Sequence, residues 1–301
     1  MAVEAGLERG GRAPILVIEN ARDAPVARLG EWLAAAGAEL DVRNAEATDP
    51  LPELAGYAAL LVLGGGMGAY DDGRAPWLPT VRRLLAEAVQ AELPTLGVCL
   101  GGQLLAVATG GRVRPAELGE YGAQLVAKRQ VAADDPLLRE LPITPDVLQW
   151  HVDEVSQLPP GAVLLASSPG CEVQAFRVGR LAWGVQFHIE TTPDVVRDWA
   201  ATDAELLADY DLATIVQRAV DAHPDIAETW QPVAARFVEI ARDPAAAAGP
   251  RTLPMVGRPA PAATEQAEAE PAEPADPLTD PAAIRAALAA QMQAARGPHR
   301  G

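Results

Sequence analysis

The sequence predicts an α/β fold with a mostly parallel open sheet, flanking helices and an extension of antiparallel strands. Three observations support this prediction. Short apolar runs alternate with segments of helical periodicity through the first hundred residues, and one of these runs ends abruptly at Cys99 before two glycines. After residue 121, short β-rich runs separated by proline–glycine turns replace this alternation. Alternating strands and helices favour a parallel sheet with helices on both faces.

The alternating elements occupy the first part of the chain. Apolar strands are predicted at residues 14–19, 40–43, 58–63 and 95–98, and helices at 24–36, at 77–91 and from 102 onward. Antiparallel strands are predicted at residues 124–128, 147–150, 163–167, 172–178 and 181–186.

Composition divides the chain into three parts. Residues 1–12 are predicted to be a flexible N-terminus, and residues 13–243 a single domain. The end of this domain, 192–243, is predicted to be helical with a break at His223-Pro224. Residues 244–301 form a tail rich in alanine, proline and glutamate, with no lysine or arginine between residues 259 and 284. Such a segment buries too little apolar surface to fold, so disorder is predicted.

Charge and cysteine content exclude several classes of partner. The 301 residues carry a formal charge of −17 and a pI of about 4.6, which argues against binding nucleic acid or an anionic membrane. No apolar run approaches the roughly 20 residues of a membrane span, and the first residues lack the pattern of a signal peptide. Only Cys99 and Cys171 are present, which fits a reducing compartment. We therefore expect a cytoplasmic protein.

Cys99 has the setting of a nucleophile. It follows the apolar run Leu96–Val98 and precedes Gly101-Gly102, which predicts a buried strand, a sharp turn and the start of a helix. At that position the unpaired N–H groups of a helix N-terminus favour a thiolate. A buried structural cysteine is the alternative, but it would not need the two glycines.

A base for this nucleophile is predicted far downstream. The segment Trp183–Glu190 is an apolar strand ending in His188-Ile189-Glu190. Residues two apart in an extended segment point the same way, so Glu190 can orient the His188 ring while His188 takes the proton of Cys99. A core histidine and a surface glutamate are the alternatives.

A run of three glycines follows the predicted strand 58–63. Gly64-Gly65-Gly66 is either a plain turn or a loop whose backbone N–H groups face a substrate oxygen. It is not a phosphate-binding loop, because it lacks the Gly-Lys-Ser/Thr ending of that motif. The four histidines are scattered without ligand spacing, so no metal site and no cofactor are predicted.

Together, residues 62–70, 97–103 and 184–190 resemble the motifs of class I glutamine amidotransferases, the triad glutaminase domains. The resemblance covers about residues 13–200 and is strongest to the GMP-synthase-like subgroup. The family usually has proline where Ile189 stands. The resemblance implies oxyanion donors at Gly65 (or Gly66) and at Leu100, and a role for Gln103 in binding the α-amino and carboxylate end of glutamine.

The function implied is a Cys99–His188–Glu190 glutaminase that releases ammonia from its substrate glutamine, with a separate synthetase as the possible acceptor. A γ-glutamyl hydrolase acting on another γ-glutamyl amide is an alternative, as is a non-catalytic regulatory domain of the same fold. Residues 150–153 also resemble a family segment, which places His151 and Asp153 near the active-site mouth without assigned chemistry.

Overall fold

The computed structural model describes residues 13–47 and 50–247, where strands and helices alternate along the first half. The strands are β1 (Ile15–Glu19), β2 (Leu40–Asn44), β3 (Ala59–Val62), β4 (Thr95–Val98), β5 (Arg112–Leu125), β6 (Ala127–Lys128), β7 (Asp146–Gln157), β8 (Val163–Ser167), β9 (Ala175–Val178) and β10 (Ala182–Val185). The helices are α1 (Ala27–Ala35), α2 (Leu78–Gln90), α3 (Leu100–Ala108), α4 (Pro193–Thr202) and α5 (Leu212–Arg242). Short 3₁₀ turns lie at Gln130–Asp134 and Pro244–Ala247.

The main element of the fold is an eight-stranded sheet. Its strand order is β2-β1-β3-β4-β10-β9-β8-β6. The first five strands in this order are parallel, and the last three run antiparallel to their neighbours. The predicted α/β class and its antiparallel extension are confirmed, although the strand predicted at 181–186 pairs in parallel with β4 on one side.

The sheet is covered on both faces because its strands are apolar on both. In β1, Ile15 and Val17 pack with α1 and α5, whereas Leu16 and Ile18 pack with α2 and α3. All four side chains are buried. Strands that are buried on both faces have continuous apolar sequences, which is the pattern that this sequence shows.

A separate two-stranded ribbon, β5 with β7, stands beside the sheet. The sequence predicts only the end of β5, because Pro115, Gly119 and Gly122 interrupt its pattern. The structure accommodates this irregularity with a register shift between Pro115 and Glu120. The ribbon meets the sheet where the backbones of Leu148 and His188 exchange two hydrogen bonds of 3.2 and 2.7 Å.

Three predicted boundaries differ most from the structure. Strand β7 continues to Gln157 and does not end at residue 150. Helix α3 begins at Leu100, directly after Cys99, and not at residue 102. Helix α5 continues through His223-Pro224, where the sequence predicts a break. Proline removes one hydrogen bond of a helix, but burial of the α5 face that carries Trp230 and Phe237 outweighs this local cost.

Candidate active site

Three strand ends meet at one edge of the sheet. β4 lies between β3 and β10, with Val62 paired to Gly97 and Val185 paired to Val98. Because these strands are parallel, their carboxyl ends lie side by side, which is where open α/β sheets hold their sites. The three motifs follow these ends directly, so the fold brings together segments that are far apart in the sequence.

Cys99 lies in a strained turn between β4 and α3. Its backbone has φ 52° and ψ −111°, a conformation that few residues other than glycine adopt. The Cys99 N–H donates to the carbonyl of Val185 at 2.8 Å, which ties the turn to β10. The strain and the helix start together hold the thiol at the edge of the sheet, beside the positive end of α3.

Glycine is required around this turn because backbones approach closely. A Cβ atom added at Gly101 would lie 2.0 Å from the carbonyl oxygen of Val62, and one at Gly102 would lie 2.7 Å from that of Val185. On the other side of the turn, a Cβ at Gly97 would lie 2.5 Å from the carbonyl oxygen of Gly101. These three glycines let α3 start directly against the strands.

His188 and Glu190 form a buried pair beside Cys99. His188 Nδ1 lies 2.6 Å from Glu190 Oε1, and only 3% and 1% of the two residues is exposed. A carboxylate accepts only, so Nδ1 carries a proton and the other ring nitrogen is left for the thiol. Cys99 lies on the same side of the glycine loop as His188 and is close enough to raise the pKa of the ring. The predicted nucleophile, base and orienting group are therefore brought together.

The remaining contacts fix the orientation of this pair. Glu190 Oε2 accepts the N–H of Ile189 at 2.9 Å, a bond that the proline usual in the family could not make. The His188 ring packs edge-on against Trp199 of α4, with ring centroids 4.8 Å apart. Trp199 itself donates from its indole N–H to the carbonyl of Asp23. The imidazole is thus held both by packing and by a hydrogen bond.

Electrostatics favour a charged imidazole. Burial of the ring disfavours the imidazolium, but Glu190 and Cys99 outweigh it, so the pKa of His188 is raised well above its usual value. Cys171 is the opposite case. Burial and the nearby carboxylates of Glu120 and Glu154 raise the pKa of Cys171 to about 12, and its thiol donates to the carbonyl of Val173. Both cysteines are free, but only Cys99 has a base beside it.

The glycine loop borders the same space. A Cβ atom added at Gly64 would lie 3.2 Å from His188 Cε1 and 3.6 Å from Cys99 Cβ. One at Gly65 would lie 3.3 Å from Leu100 Cδ2, so this loop adjoins the start of α3. Around Gly66 there is open space. The structure therefore places Gly65 beside the first residue of α3, whereas the glycine of the loop that lies nearest to Cys99 and His188 is Gly64.

Gln103 is buried one turn into α3, and its contacts are internal. Its Nε2 donates to the carbonyl of Asp153 at 3.0 Å and to Gln186 Oε1 at 3.1 Å. Gln186 in turn directs its own Nε2 at Cys99 Sγ, at 3.8 Å. Neither Gln186 nor Gly64 is among the predicted site residues. The spacing of Gln186, two residues before His188 in an extended segment, is a signal that could have found it.

The residues that the structure describes show neither a metal-binding cluster nor a membrane-spanning helix. Within residues 13–47 and 50–247, no cluster of three or more histidine, cysteine or acidic side chains is arranged to hold a metal ion. No helix in those ranges has the length and apolar character to cross a bilayer.

Comparison with known proteins agrees with this geometry. The family model for glutamine amidotransferase class-I matches residues 20–198. In structure, the chain is similar to a glutamine amidotransferase from Methylobacillus flagellatus (TM-score 0.69, 30% identity) over 76% of this chain and 95% of the other. A glutamine amidotransferase from Thermotoga maritima has the same TM-score at 27% identity, with 76% and 99% covered.

Sequence relatives are GMP synthases and separate subunits of that enzyme. The chain is 38% identical over 130 residues to the glutamine-hydrolyzing GMP synthase of Thermomicrobium roseum, covering 43% of this chain but only 23% of that protein. It is 35% identical over 151 residues to the glutamine-hydrolyzing GMP synthase subunit of Methanoregula boonei, covering 49% of this chain and 74% of that protein. The fold and these relatives thus define a glutamine amidotransferase domain. The protein belongs to the class I glutamine amidotransferase family.

Proposed function

We propose that this protein hydrolyses the side-chain amide of glutamine through a thioester on Cys99, giving glutamate and ammonia. The observation that carries the proposal is that Cys99 lies beside the His188 ring, and that Glu190 holds this ring at 2.6 Å. A thiol at a helix N-terminus, a base and a group that orients the base are what acyl transfer to sulfur requires.

The reaction has two halves. The proton of Cys99 passes to His188, and Sγ adds to the amide carbon of glutamine. The C–N bond then breaks as His188 returns the proton to the leaving ammonia. In the second half, water adds to the thioester carbon while His188 takes its proton. The C–S bond breaks, and glutamate leaves with the thiol restored.

The negative oxygen formed in each half needs donors. We assign this role to the N–H groups of Gly65, or its neighbour Gly66, and of Leu100. The first N–H groups of a helix lack intrahelical partners, and Leu100 is the first residue of α3. Gly65 lies against the Leu100 side chain. Loss of one such donor typically costs about 10²–10³ in rate.

Gln103 is proposed to bind the amino-acid end of the substrate. Its two bonds to Asp153 and Gln186 use both amide hydrogens. The atom left for a substrate is its carbonyl oxygen, an acceptor that suits an α-ammonium group and not a carboxylate. Of the two charged groups at that end of glutamine, the internal contacts of Gln103 therefore favour the α-amino group.

A glutamine analogue with an electrophile at the side-chain carbon tests the nucleophile. We expect mass spectrometry to find the label on Cys99, with the buried Cys171 as an internal control thiol. Cys99→Ala should lose glutaminase activity, as should His188→Ala. Labelling confined to Cys171, or full activity in Cys99→Ala, would contradict the proposal.

We further propose that the ammonia passes to a separate synthetase in the cytoplasm. Relatives that this chain covers over most of their own length are named as glutamine-hydrolyzing subunits of GMP synthase, which indicates a separate glutaminase chain in those organisms. Purification from the native source, followed by glutaminase assays with and without any co-purified protein, tests this. Unchanged turnover and no partner would favour a free-standing hydrolase, and a preference for substituted γ-glutamyl amides would favour the alternative substrate.

A further inference from the structure

Two buried amides form a chain that ends at the proposed nucleophile, and the contact at its end has no part in the mechanism above. Gln186 and Gln103 are each 3% exposed. Gln186 Nε2 lies 3.8 Å from Cys99 Sγ, within range of a hydrogen bond to sulfur. Gln186 Oε1 accepts from Gln103, so the two side chains form a continuous amide pair that ends at the thiol.

One backbone carbonyl fixes the direction of this amide pair. The Asp153 carbonyl can only accept, so the group of Gln103 that faces it at 3.0 Å must be the NH₂. The second hydrogen of that NH₂ meets Gln186 at 3.1 Å, which requires the oxygen of Gln186 to point there. The NH₂ of Gln186 is then left facing Cys99. Neither amide can be turned over without setting like atoms against each other.

The Asp153 carbonyl is itself held in place. His151 Nδ1 lies 3.0 Å from it, and His151 Nε2 lies 3.1 Å from Glu120 Oε2. The His151 ring is therefore held at both nitrogens, by the Asp153 carbonyl on one side and by the Glu120 carboxylate on the other. Glu120 also accepts from Gln174 Nε2 at 2.8 Å. The carbonyl of Gln174 accepts the N–H of Gln186 at 2.8 Å, which closes the network on itself.

We propose that Gln186 is a further catalytic residue, whose NH₂ stabilises the thiolate of Cys99, and that Gln103 is the positioning residue that keeps this NH₂ turned toward the sulfur. This inference rests on the proposed role of Cys99 as nucleophile. An N–H donor stabilises an anionic acceptor more than a neutral one, so it favours the thiolate over the thiol. The sequence motif therefore carries a third functional residue, in addition to His188 and Glu190.

The test measures thiol reactivity without any glutamine. The full-length protein and its variants are alkylated with iodoacetamide from about pH 5 to pH 10, a range that spans the ordinary titration of a thiol, and mass spectrometry follows Cys99 separately from Cys171. The variants are Gln186→Met and Gln103→Met, which keep side-chain length and remove the amide. Gln149→Met is the matched control, because Gln149 is fully buried and its amide has no hydrogen-bond partner among the described residues.

We expect the rising part of the rate–pH profile to move about one pH unit higher in Gln186→Met, the shift that loss of one hydrogen bond to a charged atom produces. Gln103→Met should move it in the same direction by less. The double variant should match Gln186→Met alone, since both changes break one path. The profile of Gln149→Met should equal that of the wild type.

A wild-type profile in folded Gln186→Met would overturn the inference. If Gln186→Met does not fold, as judged by circular dichroism, Gln103→Met carries the test, and a wild-type profile there has the same meaning. An equal shift in Gln149→Met would overturn it too, because the effect would then come from general loosening of the site. Failure of this inference can be distinguished from failure of the proposed function. Cys99→Ala decides whether glutamine hydrolysis needs this thiol, whatever the alkylation profile shows.

Discussion

The absence of a side chain at Gly64 leaves room for the reacting groups His188 and Cys99. Its φ is not in the left-handed region, so alanine is compatible with its backbone. The added methyl, however, would lie 3.2 Å from His188 Cε1, closer than most such contacts, and would also touch Cys99. His188 cannot easily yield, because Glu190 and Trp199 hold its ring.

We therefore expect Gly64→Ala to fold normally and to lose about tenfold to a hundredfold in kcat/KM for glutamine hydrolysis, because small displacements of reacting groups have effects of this size. Steady-state kinetics and a thermal melt measure the two properties. Gly73→Ala is the control, since a Cβ atom there meets open space. Full activity in Gly64→Ala would mean that the pair adjusts freely.

The charge of Glu190 is predicted to control the protonation of His188. Burial alone would lower the pKa of this ring, and Glu190 with Cys99 raises it. Glu190→Gln removes the largest raising influence but leaves a polar group of the same size. We expect the pKa of His188 to fall in this variant, as measured by NMR titration of the ring, and kcat to fall by about a hundredfold or more.

The raised pKa of His188 also makes the free energy of unfolding depend on pH. The pKa of His188 is higher in the folded than in the unfolded protein, so folding takes up a proton between the two values. The stabilisation is fully present below the unfolded value of about 6.5 and is lost as the pH rises through the folded value. Urea unfolding should therefore show the largest difference between wild type and Glu190→Gln below a pH of about 6.5. A difference that grows with pH would contradict this assignment.

At the level of elements, the turn between β4 and α3 depends on backbone-to-backbone contact. A methyl group at Gly101 would lie 2.0 Å from the carbonyl oxygen of Val62, which belongs to a central strand and has no room to move. Gly101→Ala should destabilise the fold by about 3 kcal/mol, the upper end of the roughly 1–3 kcal/mol that overpacking typically costs, because the neighbour is rigid backbone. Urea unfolding against Gly73→Ala checks this, and equal stabilities would show that α3 can shift without cost.

The same elements show what a sequence can and cannot predict. β3, β4 and β10 are predictable because each is a short apolar run bounded by turn residues. The α5 helix is predicted to break at Pro224 because the local rule for proline ignores the burial of residues further along, such as Trp230. Most of β5 escapes prediction because its prolines and glycines serve a register shift that only the partner strand β7 makes possible.

For the molecule as a whole, the site depends on strand order. Cys99, His188 and Glu190 are identified from local motifs, but nothing local to either motif places β4 beside β10. The crossover that makes these strands neighbours spans the ribbon and the antiparallel strands between them. Gln103 is predicted to bind substrate, and its contacts with Asp153 and Gln186 depend on the same crossover. Local motifs therefore predict which chemical groups form the site, whereas the contacts between those groups depend on the order of the strands in the sheet.

The folded domain extends beyond the boundary that composition predicts. Composition sets the predicted boundary at residue 243, but the described contacts continue to Ala247, which is buried. Arg236 donates to the carbonyl of Ala246 at 2.7 Å, and Arg180 donates to that of Pro244 at 3.1 Å. Of the predicted disordered tail, 244–301, residues 248–301 lie outside the described residues, as does the predicted flexible N-terminus, 1–12.

We expect truncation after residue 247 to leave Tm and glutaminase activity unchanged, because the charge and low apolar content of residues 259–284 favour no packed structure. Truncation after residue 243 should lower Tm by a few degrees, because it removes two hydrogen bonds and a buried alanine, and each kcal/mol is worth about 2–4 °C in a domain of this size. Differential scanning calorimetry compares the two truncations with the full chain. A large loss of stability on removal of residues 248–301 alone would show that the tail packs against the domain, and the compositional reasoning would then be wrong.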